Sequence, residues 1–358
     1  MKLLFHPHIL QYRYRFKIAH TTRDVQETLI VELQDIDAEG NVISGFGEAT
    51  DNPYYHVTVE GMMAELEKIK PQIEAYALTE TQTGHSSGTP EAFWDEMYKL
   101  LRHTPFTLCA LDMAAQDLYG KKLGKPLYKL WGLSPEKVPV SNYTIGIDTI
   151  EKMVQKLKDL PWPIYKIKLG TDEDVEIVRT LRQHTNALFR VDANCAWTAE
   201  EAIKNSVELE KLGVEFIEQP LPGDQYEEME EVYKHSALPV VADESCLTER
   251  DVARCYGRFH GINIKLTKCG GLTPARRMIA EARTLGMKVM VGCMTESSVG
   301  ISAIAQLAPL LDYVDMDGTM LIKKDVATGV KVKPTGIEYS QVNGTGAGLV
   351  SDDALQTL

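Results

Sequence analysis

No two cysteines in this chain form a C-x-x-C pair; the six present (Cys109, Cys195, Cys246, Cys255, Cys269 and Cys293) are scattered. That pattern fits small, semi-buried, reduced thiols and a cytoplasmic location. No apolar run approaches the roughly 20 residues that a membrane helix needs. The N-terminus, MKLLFHPHILQYRYRF, is interrupted by His6, Pro7, His8 and Gln11 and lacks a small-residue cleavage site, so it reads as a first strand rather than a leader. Basic residues are in deficit, 38 against 51 acidic ones, for a formal net charge of -13. No segregated basic patch offsets that balance, so neither nucleic acid nor an anionic membrane is an expected partner.

What is present is ordinary globular material: 44% hydrophobic and 25% charged residues over 358 positions. The length implies two cores, or one barrel with an added domain. The first part reads as α+β. RYRFKIA and ETLIVELQDID are strand-like, the turn AEGN leads into VISGFGEAT, and VEGMMAELEKIKPQIEAYA and FTLCALDMAAQDLYGKKLG have helical spacing. The stretch TETQTGHSSGTP is a polar loop.

From about residue 138 the pattern changes. Eight short apolar runs, from VPVSNYTIG and IYKIKLG to KVMVGCM and DYVDMDGTML, alternate with amphipathic helices such as DEDVEIVRTLRQH and PARRMIAEARTLG. A βα repeat of roughly 25 residues predicts a parallel barrel. A doubly wound open sheet is the alternative, but it would carry a Gly-rich phosphate turn after its first strand, and NYTIGID is not one. The expected division is an α+β capping domain over 1–125, completed by 322–358, and a barrel over 126–321. The strand-like pieces VKVKP and GIEYS of the last segment are expected to return to the first domain.

In a parallel barrel the C-terminal strand ends line the active site. Here those ends carry Lys166 and Lys168, Asp192, Glu218, Asp243, Lys265, Glu296, and Asp315 with Asp317. Charge at one strand end is unremarkable. Charge at nearly every one is costly unless paired or metal-bound. Asp192, Glu218 and Asp243 lie on consecutive strands, and three converging carboxylates with room for water and substrate suit one Mg²⁺. Salt bridges or helix caps are the plainer alternative. Lys166 and Lys168 share parity and face the barrel interior, while Lys265 ends a strand on the other side. Two lysine bases on opposite faces of a planar enolate can take a proton from one side and return it on the other, which is racemisation or epimerisation. Lys268, one turn on, competes with Lys265 but has already begun the loop before Gly270 and Gly271.

The motifs YKIKLG, VDAN, IEQPL, ADES and NIKLTKCGG together resemble the enolase superfamily, muconate-lactonising-enzyme subgroup, over nearly the whole chain. The resemblance implies a modified (β/α)₇β TIM-type barrel with an α+β cap made from both chain ends. It implies Asp192, Glu218 and Asp243 as magnesium ligands, Lys168 and Lys265 as the acid/base pair, and Lys166 as an electrostatic helper. VDMDGTML is similar to the dipeptide epimerases, in which such aspartates hold the substrate's α-ammonium; Asp315 and Asp317 are therefore implied substrate ligands, with Glu296 of MVGCMTESSVG near the site. No histidine on that strand supports mandelate-racemase chemistry. Epimerases of alanyl-glutamate have a loop arginine for the glutamate side chain. Thr21 stands there in this chain and Arg23 two residues on; both are candidate substrate ligands, with delivery of Arg23 by the loop as one alternative and uncharged or hydrophobic second residues as the expected one. The implied reaction is Mg²⁺-dependent 1,1-proton transfer at the α-carbon of the C-terminal residue of Ala-X dipeptides. An N-acylamino acid racemase with o-succinylbenzoate synthase activity needs no ammonium pocket and is the nearest alternative; a catalytically silent binding barrel is the more distant one. A homo-oligomer is expected by analogy alone.

Overall fold

The computed structural model describes residues 1–18, 21–37, 39–79 and 88–350. Most of the polar stretch TETQTGHSSGTP lies outside the described residues, as does the side chain of Thr21. Three long strands, β1 (Lys2–Ile18), β2 (Thr21–Ile36) and β3 (Val42–Thr50), form an antiparallel sheet in chain order. Because strand side chains alternate, Leu29, Val31 and Leu33 of β2 face one core while Ile30 between them joins Leu10 of β1 in another.

Helices α1 (Val59–Ala75), α2 (Pro90–Leu101) and α3 (Pro105–Lys122) cover the first of these faces. Helix α2 starts on a Thr89 N-cap whose hydroxyl accepts from the Ala92 backbone, with Pro90 at its first position. The whole middle of α3 is buried, as its nearly continuous apolar run requires, because it is sandwiched between the sheet and the barrel. Close approach is possible there because β3 offers Gly45 and Gly47; a Cβ on either would run into the α3 backbone at Ala114 or Ala110.

Eight parallel strands follow: β4 (Tyr143–Ile145), β5 (Ile164–Lys168), β6 (Leu188–Asp192), β7 (Val214–Glu218), β8 (Val240–Ala242), β9 (Gly261–Lys265), β10 (Lys288–Gly292) and β11 (Tyr313–Asp315). They are ordered consecutively, and a parallel bridge from Ser141 to Val314 brings β4 back to β11, nearly closing the barrel. Each of the seven crossovers contains a helix among the described residues, the (β/α)₇β pattern. Odd-numbered Tyr165, Ile167, Phe189 and Val191 point outward into the apolar layer under the helices. Their neighbours point inward. Phe216, Val241, Met290 and Tyr313 plug the floor of the barrel, so the charged strand ends sit above a packed base rather than a pore.

The segment after Leu321 divides. Against the expectation for VKVKP and GIEYS, the hairpin of Lys331–Lys333 with Gly336–Glu338 packs on the barrel core through Val330, Val332 and Ile337, not on the first domain. Ile322, Val326 and Ala347 instead join Leu10 and Ile30 of the first sheet. No described helix is long and apolar enough to cross a membrane.

Candidate active site

Inward parity at the strand ends brings Lys166, Lys168, Asp192, Glu218, Asp243, Lys265 and Asp315 together. The Lys166 ammonium lies 2.7 Å from Glu218, 3.0 Å from Asp315 and 3.1 Å from Asp192, and is 1% exposed. Burial alone would lower its pKa, but the Asp315, Glu218 and Asp192 charges outweigh burial and push it well above the ordinary lysine value. It is a fixed cation. Lys168 reaches Asp192 at 2.6 Å. Across the barrel, Asp243 meets Lys265 at 2.9 Å through one oxygen and Lys268 at 2.6 Å through the other. Both of these lysines are raised for the same reason as Lys166, with burial opposed by Asp243.

Asp192, Glu218 and Asp243 are fully buried, and one oxygen from each lies within 4.8 Å of the others. The Asp192 and Asp243 carboxyls are held below their ordinary range: burial would raise them, but Lys168 acts on the first and Lys265 with Lys268 on the second. Glu218 is pushed up to about 7 by burial and by Asp192. Secondary contacts fix the set. Asn263, two residues before Lys265 and of the same parity, donates to one Glu218 oxygen at 2.8 Å. The Gln219 carboxamide accepts from the backbone of Asp243 at 2.9 Å and of Ser245 at 3.1 Å. Gln219, Asn194 and Cys195 have left-handed backbones directly after two of the carboxylate strands, a local cost met at functional sites. An all-oxygen set of buried, mutually repelling carboxylates fits a hard divalent cation. A second cluster, Cys293 with Asp315 and Asp317, fits less well: burial pushes the Cys293 thiol well up, and Asp315 is already engaged.

A cavity of about 390 Å³ opens above these groups. Lys166, Lys168, Lys265 and Lys268 form its base; Asp315 and Asp317 lie at one wall. Asp315 accepts from Asn142 at 2.7 Å, and Asp317 from the Thr144 backbone at 2.6 Å. Burial and the neighbouring Asp315 push Asp317 up to about 7. The sheet supplies the roof with Tyr12, Phe16, Arg23 and Gln26, and the short 3-10 turn Pro53–Tyr55 after it adds Tyr54 and Tyr55. Glu296 is 2% exposed and does not line the cavity; burial and the nearby Glu48 raise it to about 8. Thr295, one residue earlier, does line it and accepts from the Tyr12 hydroxyl at 2.9 Å. Asn142, Thr144, Asn263, Tyr12 and Glu244, which also lines the cavity, were not singled out in the sequence. Parity could have found Asn263, whereas the roof residues come from a distant strand and carry no local signal.

Comparison with known proteins points one way. Residues 5–132 match the N-terminal domain of the mandelate racemase / muconate lactonizing enzyme family, and residues 148–354 match the enolase C-terminal domain-like family. The L-Ala-D/L-amino acid epimerase of Flavobacterium johnsoniae is 57% identical over 350 residues, covering 98% of this chain and 100% of that protein. The substrate-liganded L-Ala-D/L-Glu epimerase of Bacillus subtilis superposes with a TM-score of 0.87 at 26% identity, over 98% of this chain and 100% of that one. The dipeptide epimerase of Enterococcus faecalis, solved with Mg and L-Leu-L-Tyr, gives 0.85 at 28% identity, over 97% and 99% of the two chains.

Proposed function

Since the chain belongs to the enolase superfamily, in its mandelate racemase / muconate lactonizing enzyme branch, we propose that it is a Mg²⁺-dependent dipeptide epimerase. Its substrate is an Ala-X type dipeptide, and the reacting atom is the α-carbon of the C-terminal residue. The observation that carries this reading is the pair Lys168 and Lys265. They stand four strands apart and line one cavity above Asp192, Glu218 and Asp243.

In this reading Asp192, Glu218 and Asp243 hold the ion. Bound there, Mg²⁺ would offset the negative charge that grows on the substrate's carboxylate and weaken the pull of Asp243 that opposes burial at Lys265. Lys166, fixed beside Asp192 and Glu218, adds positive charge at the same place. One of Lys168 and Lys265 takes the α-proton as a free amine. The planar enolate is then protonated on its other face by the ammonium of the second lysine. Asp315 and Asp317 receive the substrate's α-ammonium. The crowding that raises Asp317 to about 7 supports this, because an incoming cation relieves it. N-Acylamino acid racemisation is the second reading, and one observation favours it: Asp315 already has Lys166 at 3.0 Å and Asn142 at 2.7 Å.

We further assign residues 126–321 to the chemistry and residues 1–125, joined by Ile322, Val326 and Ala347 of the last segment, to covering the substrate. A cytoplasmic homo-oligomer belongs to the same proposal; the six unpaired cysteines support the location. The test is epimerisation of L-Ala-X dipeptides followed by chiral chromatography. Turnover is expected with Mg²⁺, to vanish on chelation and to return when Mg²⁺ is restored. Full activity in a verified metal-free preparation, or turnover of N-acylamino acids alone, would reject it.

A further inference from the structure

Arg23 is the only arginine among the described residues that line the cavity. It sits in the roof, on β2, facing the lysines of the barrel across the space a substrate occupies. A free guanidinium there would attract an acidic substrate side chain. This one is not free. Its NH1 donates to Asp51 at 3.0 Å and to Gln26 at 2.9 Å, and its NH2 pairs with the second Asp51 oxygen. The Gln26 carboxamide donates to the Asp51 backbone carbonyl at 2.9 Å and also to the Asp51 carboxylate, while the Tyr12 hydroxyl reaches Gln26 at 3.3 Å. The Arg23 and Asp51 side chains are only 20% and 13% exposed, so solvent screens the pair weakly. A two-pronged guanidinium–carboxylate pair is among the stronger polar contacts, and it leaves the roof with no net charge. Phe16, Tyr54, Met294 and Leu321 add no charge to the same walls.

We propose that Asp51 determines specificity for the second residue: by neutralising Arg23 it restricts the enzyme to dipeptides whose C-terminal side chain is uncharged. The inference rests on the dipeptide-epimerase reading and deepens it. Asp51 does not need to touch the substrate. It withdraws the roof's cation, on the side of the cavity away from the lysines, so its removal should unmask that cation rather than weaken turnover in general.

L-Ala-L-Gln and L-Ala-L-Glu have the same shape and differ in charge, so the ratio of their kcat/KM values isolates the effect. Four chains set the charge of the pair: wild type at zero, Asp51→Asn at plus one, Arg23→Gln at minus one, and the double variant at zero. The wild type should favour L-Ala-L-Gln by about tenfold, and Asp51→Asn should move the ratio toward L-Ala-L-Glu by about tenfold or more, the worth of one charge-assisted hydrogen bond. Arg23→Gln should move it the other way, and the double variant should return to within about threefold of wild type. A purely structural pair would lower both substrates alike and leave the ratio fixed. A fixed ratio, a double variant that behaves like Asp51→Asn, or a wild type that prefers L-Ala-L-Glu would overturn the proposal. Calorimetric affinities for the two dipeptides with Mg²⁺ present read the same ratio without turnover. Binding with no epimerisation would therefore count against the activity and still decide the specificity; no binding of either dipeptide would reject both.

Discussion

Asp243 is shared by two lysines, Lys265 through one oxygen and Lys268 through the other. Lys265 and Lys268 both line the cavity and both reach Asp243, so proximity does not separate them. Orientation does. Lys265 ends β9 with the inward parity of Asn263, whereas Lys268 lies in the short turn Leu266–Cys269, close over the Tyr55 ring at 5.4 Å. An ammonium over an aromatic face gains from keeping its charge, which suits a fixed cation better than a base. The acidic pair at the end of the last barrel strand and just beyond it makes an equally local claim. Asp315→Asn or Asp317→Asn should reduce kcat/KM for dipeptides with a free amino group by about tenfold or more, while N-acylated amino acids change little. Steady-state kinetics on both substrate types checks this. Equal losses would return the assignment to the N-acylamino acid racemase.

At the scale of elements, buried carboxylates of the first domain hold the barrel helices in place. Glu48 at the end of β3 accepts from the backbone of Ser297 at 3.0 Å and of Gly300 at 3.0 Å, from the Ser297 hydroxyl at 2.6 Å and from Thr28 at 2.8 Å. It thereby caps the helix Ser298–Leu307, whose preceding turn supplies Thr295 to the cavity. On α3, Asp112 does the same for the helix Leu272–Thr284 through the Thr273 backbone at 2.9 Å and hydroxyl at 2.8 Å. Glu48→Ala would strand several buried donors, and should destabilise the protein by roughly 3 kcal/mol. Urea unfolding would show it as a lower midpoint, with a smaller shift for Glu48→Gln, which keeps one acceptor. A variant as stable as wild type would remove this docking role. These caps also mark where sequence reading stops. All eight barrel strands were legible because short apolar runs alternate with amphipathic helices, and several of them, such as IYKIKLG, carry charge at inward positions. Glu48 was not, because its partner Ser297 lies 249 residues away and nothing in FGEAT marks a cap. The Arg23–Asp51 pair was invisible for the same reason: only the antiparallel pairing of β2 with β3 brings the two ends together.

For the whole molecule, barrel closure is what turns a list of strand ends into a reaction. Residues 97 positions apart in sequence, Lys168 and Lys265, come to line the base of one cavity because four parallel strand steps carry the chain around the axis. The carboxylates Asp192, Glu218 and Asp243 occupy the intervening strands, and the sheet of the first domain roofs the space. The central claim is that each lysine serves one face of the same α-carbon. It is tested most directly by exchange of that carbon's proton in D₂O with Lys168→Ala and Lys265→Ala. Epimerisation needs both faces and should fall by a factor of roughly a hundred or more in each variant, the usual range for loss of a general acid or base. Exchange needs only one face. Mass spectrometry should therefore show one variant incorporating deuterium from the L,L dipeptide and hardly from the L,D, and the other variant the reverse. Two variants that exchange the same epimer, or a Lys268→Ala chain that shows the preference in place of Lys265→Ala, would contradict the account.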